Sequence, residues 1–537
     1  MAGRVKRNSL RGRMALRMKK LGQTLAVGFE RSAMALAGYS SASGGYDAGR
    51  RGRSGRRTSN WRPGQGSASA DLLPDLEDLR GRSRDLDRNN PLARGAIQTK
   101  ANGVIGAGLQ LRSVIDGDVL GITDPDEIQA KQYDIERQWE LFCKEADFTG
   151  QMHLMDLQRL LYWSGTVSGD IGIARRWRQR RGETYGTRIV AIEADRISNP
   201  GHALRNTDRL QAGVRISASG EILGYHVADR HPGDLSAGAV NWSYVPRTGP
   251  SGMAQFILAV RATRPGQVRG EPLFAPIEET LKQLGDYSAA EIKAAINDAY
   301  LFAFEEQPSE VDDEGQPIIT RPDGEADASG ELSLEDLTIT TLPPGSKFNV
   351  KKPERPNTAF DGFVNAFCKQ IGVALGLPYE VLVMHFASSF SASRGALEVA
   401  YKGFLVEQAW FIRTVLDPIR EWQFTEMVAR GLFDAPGFFD DPLKRAAWLD
   451  RVWIGPTRIQ INPQVEAKAD EVDINLGTKT REQVMTERTG GDFDTKSRQV
   501  LRERQVLGSS APAAADAPNL ERNNDGTDDQ PEEDDAS

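Results

Sequence analysis

Residue types that could do chemistry are thinly spread along this chain of 537 residues. The five histidines, His153, His202, His226, His231 and His385, are scattered, and the two cysteines, Cys143 and Cys368, form no Cys-x-x-Cys pair. A His-rich metal centre, a structural zinc and a disulfide framework are therefore not expected, and the cysteine usage fits a reducing compartment. No GxxxxGK[ST] loop is present to cradle a nucleoside triphosphate. Its nearest fragment, Gly477-Thr478-Lys479-Thr480, reads as a loop between helices. The Gly-rich run Asn102 to Gly108 lacks the strand-before-helix context and the GxGxxG spacing that phosphate binding needs, and reads as a turn into a strand at Leu109 to Arg112. GxSxG and HExxH are also missing. Acid pairs such as Glu305-Glu306 sit in polar runs that read as solvated faces. The expectation is a protein with no catalytic constellation and no cofactor or metal.

One spacing stands out. Glu291, Asp298 and Glu305 follow one another at intervals of seven, which returns them to nearly the same face of a helix. From 271 to 306 eight acids oppose only Lys282 and Lys293.

The elements that would position such residues follow from periodicity. Helical patterns run from Asp75 to Asn102, Asp124 to Glu145 and Met155 to about Ser168, and strand patterns cover Asp170 to Trp177, Thr187 to Ile192, Gly213 to Ile216, Ile222 to Val227 and Phe256 to Val260. This mixture predicts an α+β domain in which Trp139, Tyr162, Trp163 and Trp177 are core anchors. Glu271 to Glu305 reads as one long helix. A polar Pro/Asp/Gly-rich interval follows, then short strands at Leu337 to Leu342 and Lys347 to Lys351 around Pro343-Pro344-Gly345. A second helix starts near Asn357 and stops before Pro378. These two helices would form an antiparallel pair with the insert at its tip. Beyond a Ser-rich segment, His385 to Ser393, a long helix from about Arg394 to Arg430 should kink at Pro418. Pro463 to about Glu503 is charged and helical.

Charge is distributed unevenly. The formal net charge of -8 conceals 14 Lys/Arg against Glu30 and Asp47 in the first 60 residues, and nine acids against Arg522 from Ala511 onward. A basic Gly/Ser-rich arm (1–70) and an acidic tail (508–537) cannot bury enough apolar surface to offset their ordering entropy, so both are expected to be mobile. The arm is either a solvated tail with no partner or one that touches nucleic acid or an acidic protein surface. No apolar run approaches the ~20 residues of a membrane span, and the Leu25 to Phe29 stretch is too short for a signal-peptide core of roughly 7–15 residues.

Six segments carry a resemblance. They are RNNPLARGAIQTKANGVIGAGLQL (Arg88 to Leu111), IEADRI (Ile192 to Ile197), RPGQVRGEPLFAP (Arg264 to Pro276), LPPGSKFNVKKPERPN (Leu342 to Asn357), IGVALGLPYEVL (Ile371 to Leu382) and SFSASRGALE (Ser389 to Glu398). In this order they resemble the portal proteins of tailed bacteriophages, lambda-like family, from about Asp71 to Trp453. The resemblance implies a ring of about 12 copies at one capsid vertex, assembled in the bacterial host cytoplasm, through which double-stranded DNA is packaged and ejected. It implies no bond chemistry, and as partners the terminase large subunit, a head-tail connector or adaptor, and the major capsid and scaffold proteins.

The implied portal fold has a wing (71–270), a stem of two long helices (271–305 and 357–378) and a small α/β clip between them (306–356). A tunnel-loop region (379–393), a long kinked helix with the remaining wing (394–462) and a helical crown (463–507) complete it. His385, Phe386, Ser388, Ser389, Phe390 and Ser391 fall in or beside the tunnel loop, with Arg394 and Lys402 as possible phosphate contacts. A helix start capped by Ser391 or Ser393 is the alternative there. Multiplied around a ring, the stripe of Glu291, Asp298 and Glu305 would repel phosphates and keep DNA from sticking, whereas a Lys/Arg groove would hold it. The same stripe could equally face outer solvent. Two rival functions remain at this stage: a non-enzymatic DNA-binding scaffold, and a phage nuclease or head-maturation protease with an unfamiliar site.

Overall fold

A computed structural model describes residues 66–202, 206–234, 239–300, 331–334, 337–340, 360–386, 389–457, 463–489 and 493–507. Two units divide the chain, Met1–Ser67 and Ala68–Ser537, and every element named below lies in the second. The expected basic arm up to residue 65, the acidic tail, Glu305, Ser388 and the strand expected at Lys347 to Lys351 lie outside the described residues.

The first helical stretch is two helices, α1 (Leu76–Asn89) and α2 (Pro91–Val104). Pro91 cannot donate the N–H that would continue α1, and it suits the first turn of a new helix instead. Asn90 caps that turn, its side-chain oxygen accepting from the N–H groups of Leu92 and Ala93 at 3.0 and 3.1 Å. After β1 (Gln110–Ser113), α3 (Pro125–Glu145) opens on Asp124, which accepts from the Asp126 N–H at 3.0 Å, and buries Ile135, Trp139, Phe142 and Cys143 along one face. Helix α4 (Leu154–Ser168) follows.

Two antiparallel sheets come next. The first has the order β3-β2-β8, from β2 (Asp170–Trp177), β3 (Thr187–Ile192) and β8 (Phe256–Val260). The second is a four-stranded meander of β4 (Leu210–Gln211), β5 (Val214–Ile216), β6 (Ile222–Ala228) and β7 (Trp242–Pro246). Ala174, Ile192, Val214, Val227 and Phe256 pack between them. Trp139, Phe142, Leu157, Leu161, Ile173, Ile189, Trp422 and Phe424 belong to the largest core. Trp139 and Tyr162 are anchors as expected, but Trp177, at the end of β2, is exposed.

Helix α5 (Glu278–Tyr300) begins seven residues later than the sequence pattern suggests, because Pro272 and Pro276 interrupt the hydrogen bonding of any earlier start. Strand β10 (Leu337–Thr340) pairs with an upstream neighbour, β9 (Glu331–Leu334), two residues before it. Helix α6 (Phe360–Leu375) lies antiparallel to α5: Tyr287 meets Phe360 and Phe363 at ring-centroid distances of 5.7 and 4.8 Å, while Leu281 and Leu284 share a core with Cys368 and Ile371. The chain therefore leaves along α5 and returns along α6, as the sequence predicts.

Helix α7 (Phe390–Phe411) passes through a π-turn, Ile412–Leu416, into α8 (Asp417–Ala429). The wider turn accommodates Pro418, which cannot donate to a carbonyl in the preceding turn. Then come α9 (Pro442–Leu449) and β11 (Arg451–Ile454), which pairs antiparallel with β1. The charged C-terminal stretch is three helices, α10 (Pro463–Leu476), α11 (Arg481–Thr489) and α12 (Phe493–Leu507), the first ended by Gly477 at φ 73°.

The sheets and helices converge on Asp170. Its carboxylate, fully buried at the start of β2, accepts two bonds from Arg269 at 2.7 and 2.8 Å, one from Arg80 of α1 at 3.0 Å and one from the Gly270 N–H at 2.8 Å. Arg269 also donates to the carbonyls of Ala194, Ile197 and Ala212, and Arg80 to that of Ser168. Burial alone would push the Asp170 carboxyl up, but Arg269 and then Arg80 hold it below the usual carboxylate range. For Arg80, burial wins over the pull of Asp170 and lowers it to about 10.

Glu278, the first residue of α5, has the opposite environment. It is 7% exposed, and neither carboxylate oxygen has a hydrogen-bond partner in the structure. Burial raises it to about 7, only partly offset by Arg82.

Both sites give testable outcomes. Asp170→Asn leaves two buried guanidinium groups without a counter-charge, which costs about 3–5 kcal/mol. The urea unfolding midpoint should fall accordingly, and an unchanged midpoint would contradict this account. A Glu raised above its unfolded value makes the native state bind more protons, so its contribution falls as pH rises from about 4.5, the ordinary Glu value, to about 7. Glu278→Gln should therefore raise the melting temperature at pH 8 and leave it nearly unchanged near pH 4. A melting temperature lowered at pH 8 would show that the carboxylate is stabilised after all.

Candidate functional site

The expected tunnel-loop residues cluster where α6, a short helix at Tyr379–Leu382 and the start of α7 meet. His385 and Phe386 are exposed, and the His385 N–H donates to the Glu380 carbonyl at 3.1 Å. Just before them, Met384 has φ 55°, a left-handed conformation uncommon for any residue other than glycine. Helix α7 starts at Phe390, so Ser391, Ser393 and Arg394 lie within it and not in or immediately after a loop. Ser389 occupies the N-cap position without a side-chain capping bond, and its carbonyl accepts from the Ser393 N–H at 2.9 Å. The expected cap at Ser391 or Ser393 is thus displaced to Ser389. Lys402 is exposed two turns beyond Arg394.

Arg394 lines a cavity of about 240 Å³ with Thr99, Asn102 and Gly103 of α2, Tyr401 and Phe404 of α7, and Pro456. The Gly-rich run explains itself here. A Cβ on Gly103 would lie 2.3 Å from the Phe404 ring, so the glycine allows α7 to cross α2 closely. Gly108, at φ 115°, lies where a Cβ would meet the Met155 side chain at 2.5 Å. These glycines serve backbone approach and turning, in keeping with the turn reading of the sequence.

A partly buried carboxylate holds α7 in place. Glu407 accepts from Lys100 of α2 at 2.7 Å, from Arg261 after β8 at 3.1 Å and from the Tyr162 hydroxyl of α4. Lys100 also donates to the Leu375 carbonyl at the end of α6, at 3.0 Å. Burial would raise the Glu407 carboxyl, yet Lys100 and Arg261 hold it below the usual range, while burial and the neighbouring Glu407 charge push the Tyr162 phenol up. Two helices and a strand end thus converge on this side chain of α7, and Lys100 ties the end of α6 to the group. Sequence reasoning assigned Glu407 no role, although an acid inside the apolar run Phe404 to Phe411 was the available signal.

The acidic stripe belongs to a different element. Glu291 is half-buried on α5, Asp298 sits seven residues on in the same helix, and Glu305 lies outside the described residues. Ile292 and Ile296, which the sequence places on the apolar side of this helix, are exposed, the former by 61%. Among the described residues no group of three or more His, Cys, Asp or Glu could hold a metal ion, and no helix is long and apolar enough to cross a membrane.

Comparison with known proteins fits these features. The chain is 27% identical over 514 residues to the portal protein of Escherichia phage N15, covering 90% of this chain and 93% of that one. It is 26% identical over 500 residues to portal protein B of Escherichia phage lambda, with 88% and 92% covered. The probable portal protein of Halomonas phage phiHAP-1 is also 26% identical, over 83% of this chain and 84% of its own. Among solved structures, chains from the neck of a native gene transfer agent particle (TM-score 0.37, 13% identity, 74% and 89% covered) and from a native gene transfer agent virion (TM-score 0.39, 12% identity, 77% and 93% covered) are distantly similar. The sequence profile of phage portal proteins, lambda family, matches residues 54–408, well over half of the chain, and the chain belongs to that family.

Proposed function

We propose that this protein assembles into a ring of about 12 copies at one capsid vertex of a tailed phage and forms the channel through which double-stranded DNA enters and leaves. The observation that carries this reading beyond family membership is the outer half of α5. Its apolar positions Ile292 and Ile296 lie in water in a single copy, while Leu281 and Leu284 on the inner half are buried. A lateral neighbour would cover that exposed surface. Wing, stem, clip and crown follow the boundaries given above, with the stem helix beginning at Glu278.

In this reading Glu291, Asp298 and Glu305 face the channel and repel phosphates, so that DNA slides without sticking. The stretch from His385 to Ser391 borders the narrowest point, with Arg394 and Lys402 near the backbone of the DNA. The antiparallel course of α5 and α6 supports placing residues 306–356 at the tip of the pair, where the terminase large subunit and later a head-tail connector would dock. Scaffold and major capsid proteins would contact the outer wall during assembly in the host cytoplasm. The protein itself carries out no bond chemistry in this scheme.

Native mass measurement tests the proposal. Full-length protein and a variant lacking 311–330 should both form rings of about 12 subunits, and only the full-length ring should capture terminase. A homogeneous monomer at micromolar concentration would refute the ring, and equal terminase capture would refute the clip assignment.

A further inference from the structure

The C-terminal helices carry exposed apolar surfaces. On α10, Val465, Ala469, Val472 and Leu476 follow at steps of four, three and four and form one stripe, and all four are exposed, Leu476 by 72%. No residue of α10 is buried. On α12, Val500 and Leu501 are exposed, Leu501 by 57%. The two surfaces are therefore not packed against each other within the chain. Helix α10 is tied to α11 instead. Asp470 of α10 pairs with Arg488 of α11 at 2.6 Å, Lys479 in the intervening loop joins Asp470 at 3.6 Å and Glu487 at 2.8 Å, and Glu482 of α11 pairs with Arg112 of β1 at 2.5 Å.

The charges on these helices have opposite sign. Helix α10 carries Glu466, Asp470, Glu471 and Asp473 against Lys468, whereas α12 carries Lys496, Arg498, Arg502 and Arg504 against Asp494 and Glu503. Pairing α10 with α10, or α12 with α12, would set like charges along an apolar seam. Pairing one with the other brings opposite charges together and takes both apolar surfaces out of water.

We propose that α10 of one copy docks against α12 of the next copy of this chain. The contact is heterologous, since the two patches differ, and repetition of a heterologous contact gives a ring where the rotation closes, and not a two-fold dimer. This inference rests on the ring reading and deepens it, by naming a seam in which the apolar stripe supplies affinity and the flanking charges set polarity. It also explains why α10 keeps an exposed apolar stripe of helical period.

The test uses Val472→Cys and Leu501→Cys together in the full-length chain, with both single variants and the unsubstituted protein as controls. The native Cys143 and Cys368 are buried. A short bis-maleimide reagent is added, and products are separated under denaturing conditions after native mass measurement of the same sample. The double variant should give a ladder of covalent multimers extending well beyond dimer, and the controls should give none. Rings that persist with only an intrachain link, or with no link, would overturn the α10–α12 contact and leave the ring reading standing. If the unsubstituted protein forms no rings, the ring reading itself fails and this contact fails with it.

Discussion

A carboxylate stripped of water is costly to bury, and the Asp170 side chain is tolerable only because two guanidinium groups and a backbone N–H complete its shell. That requirement propagates. Arg269 must approach from the segment that leads into α5, and its remaining donors take the carbonyls of Ala194 and Ile197, in the connection between the two sheets, and of Ala212, in the turn between β4 and β5. Arg80 must approach from α1 and brings the end of α4 with it through the Ser168 carbonyl. The relative positions of two sheets, two helices and the root of the outgoing helix pair are thereby set through one side chain. Loss of any partner would leave a charge in a place that water cannot reach.

Glu407 repeats the device close by, since its partner Arg261 follows Val260, the residue opposite Asp170 across the β2/β8 pair. Lys100, Arg261 and Tyr162 converge on it from α2, the end of β8 and α4. The long α7–α8 element is thus fixed at about its middle, near the π-turn, while its N-terminal end stays among the exposed residues His385, Phe386 and Ser389. A rod anchored in this way can present its free end to a channel without moving the core. The outgoing helix α5 obeys the same logic, buried at its root and exposed farther along.

Much of this was legible in the sequence. The near-3.6 and period-2 patterns located nearly all the major helices, the strands of the first sheet and the two inner strands of the second, missing its outer strands β4 and β7, and six short motifs identified the family. Boundaries were less legible wherever one residue overrides a pattern. Asn90-Pro91 splits one apparent helix, Pro272 and Pro276 delay another, Gly477 and the following turn divide the last, and Ser389 starts α7 before the Ser-rich run is over. Strand β10 found its partner upstream, because alternation shows that a strand exists but not what it pairs with. Trp177 was mistaken for a core anchor since aromatic identity alone does not report which way a strand end faces. The two ion-paired carboxylates Asp170 and Glu407 were the least visible features. Arg269 lies inside a motif quoted for the family, yet its ion partner is 99 residues away in sequence, and local pattern cannot supply that contact.

The central claim is that exposed faces in one copy become the walls and seams of a ring. Electron cryomicroscopy of the purified full-length protein tests it most directly. The account predicts a closed ring of about 12 subunits whose central opening is bordered by Glu291 and Asp298 of α5 and by the stretch from His385 to Arg394. A reconstruction with those acids on the outer wall, or particles with no central opening, would contradict it.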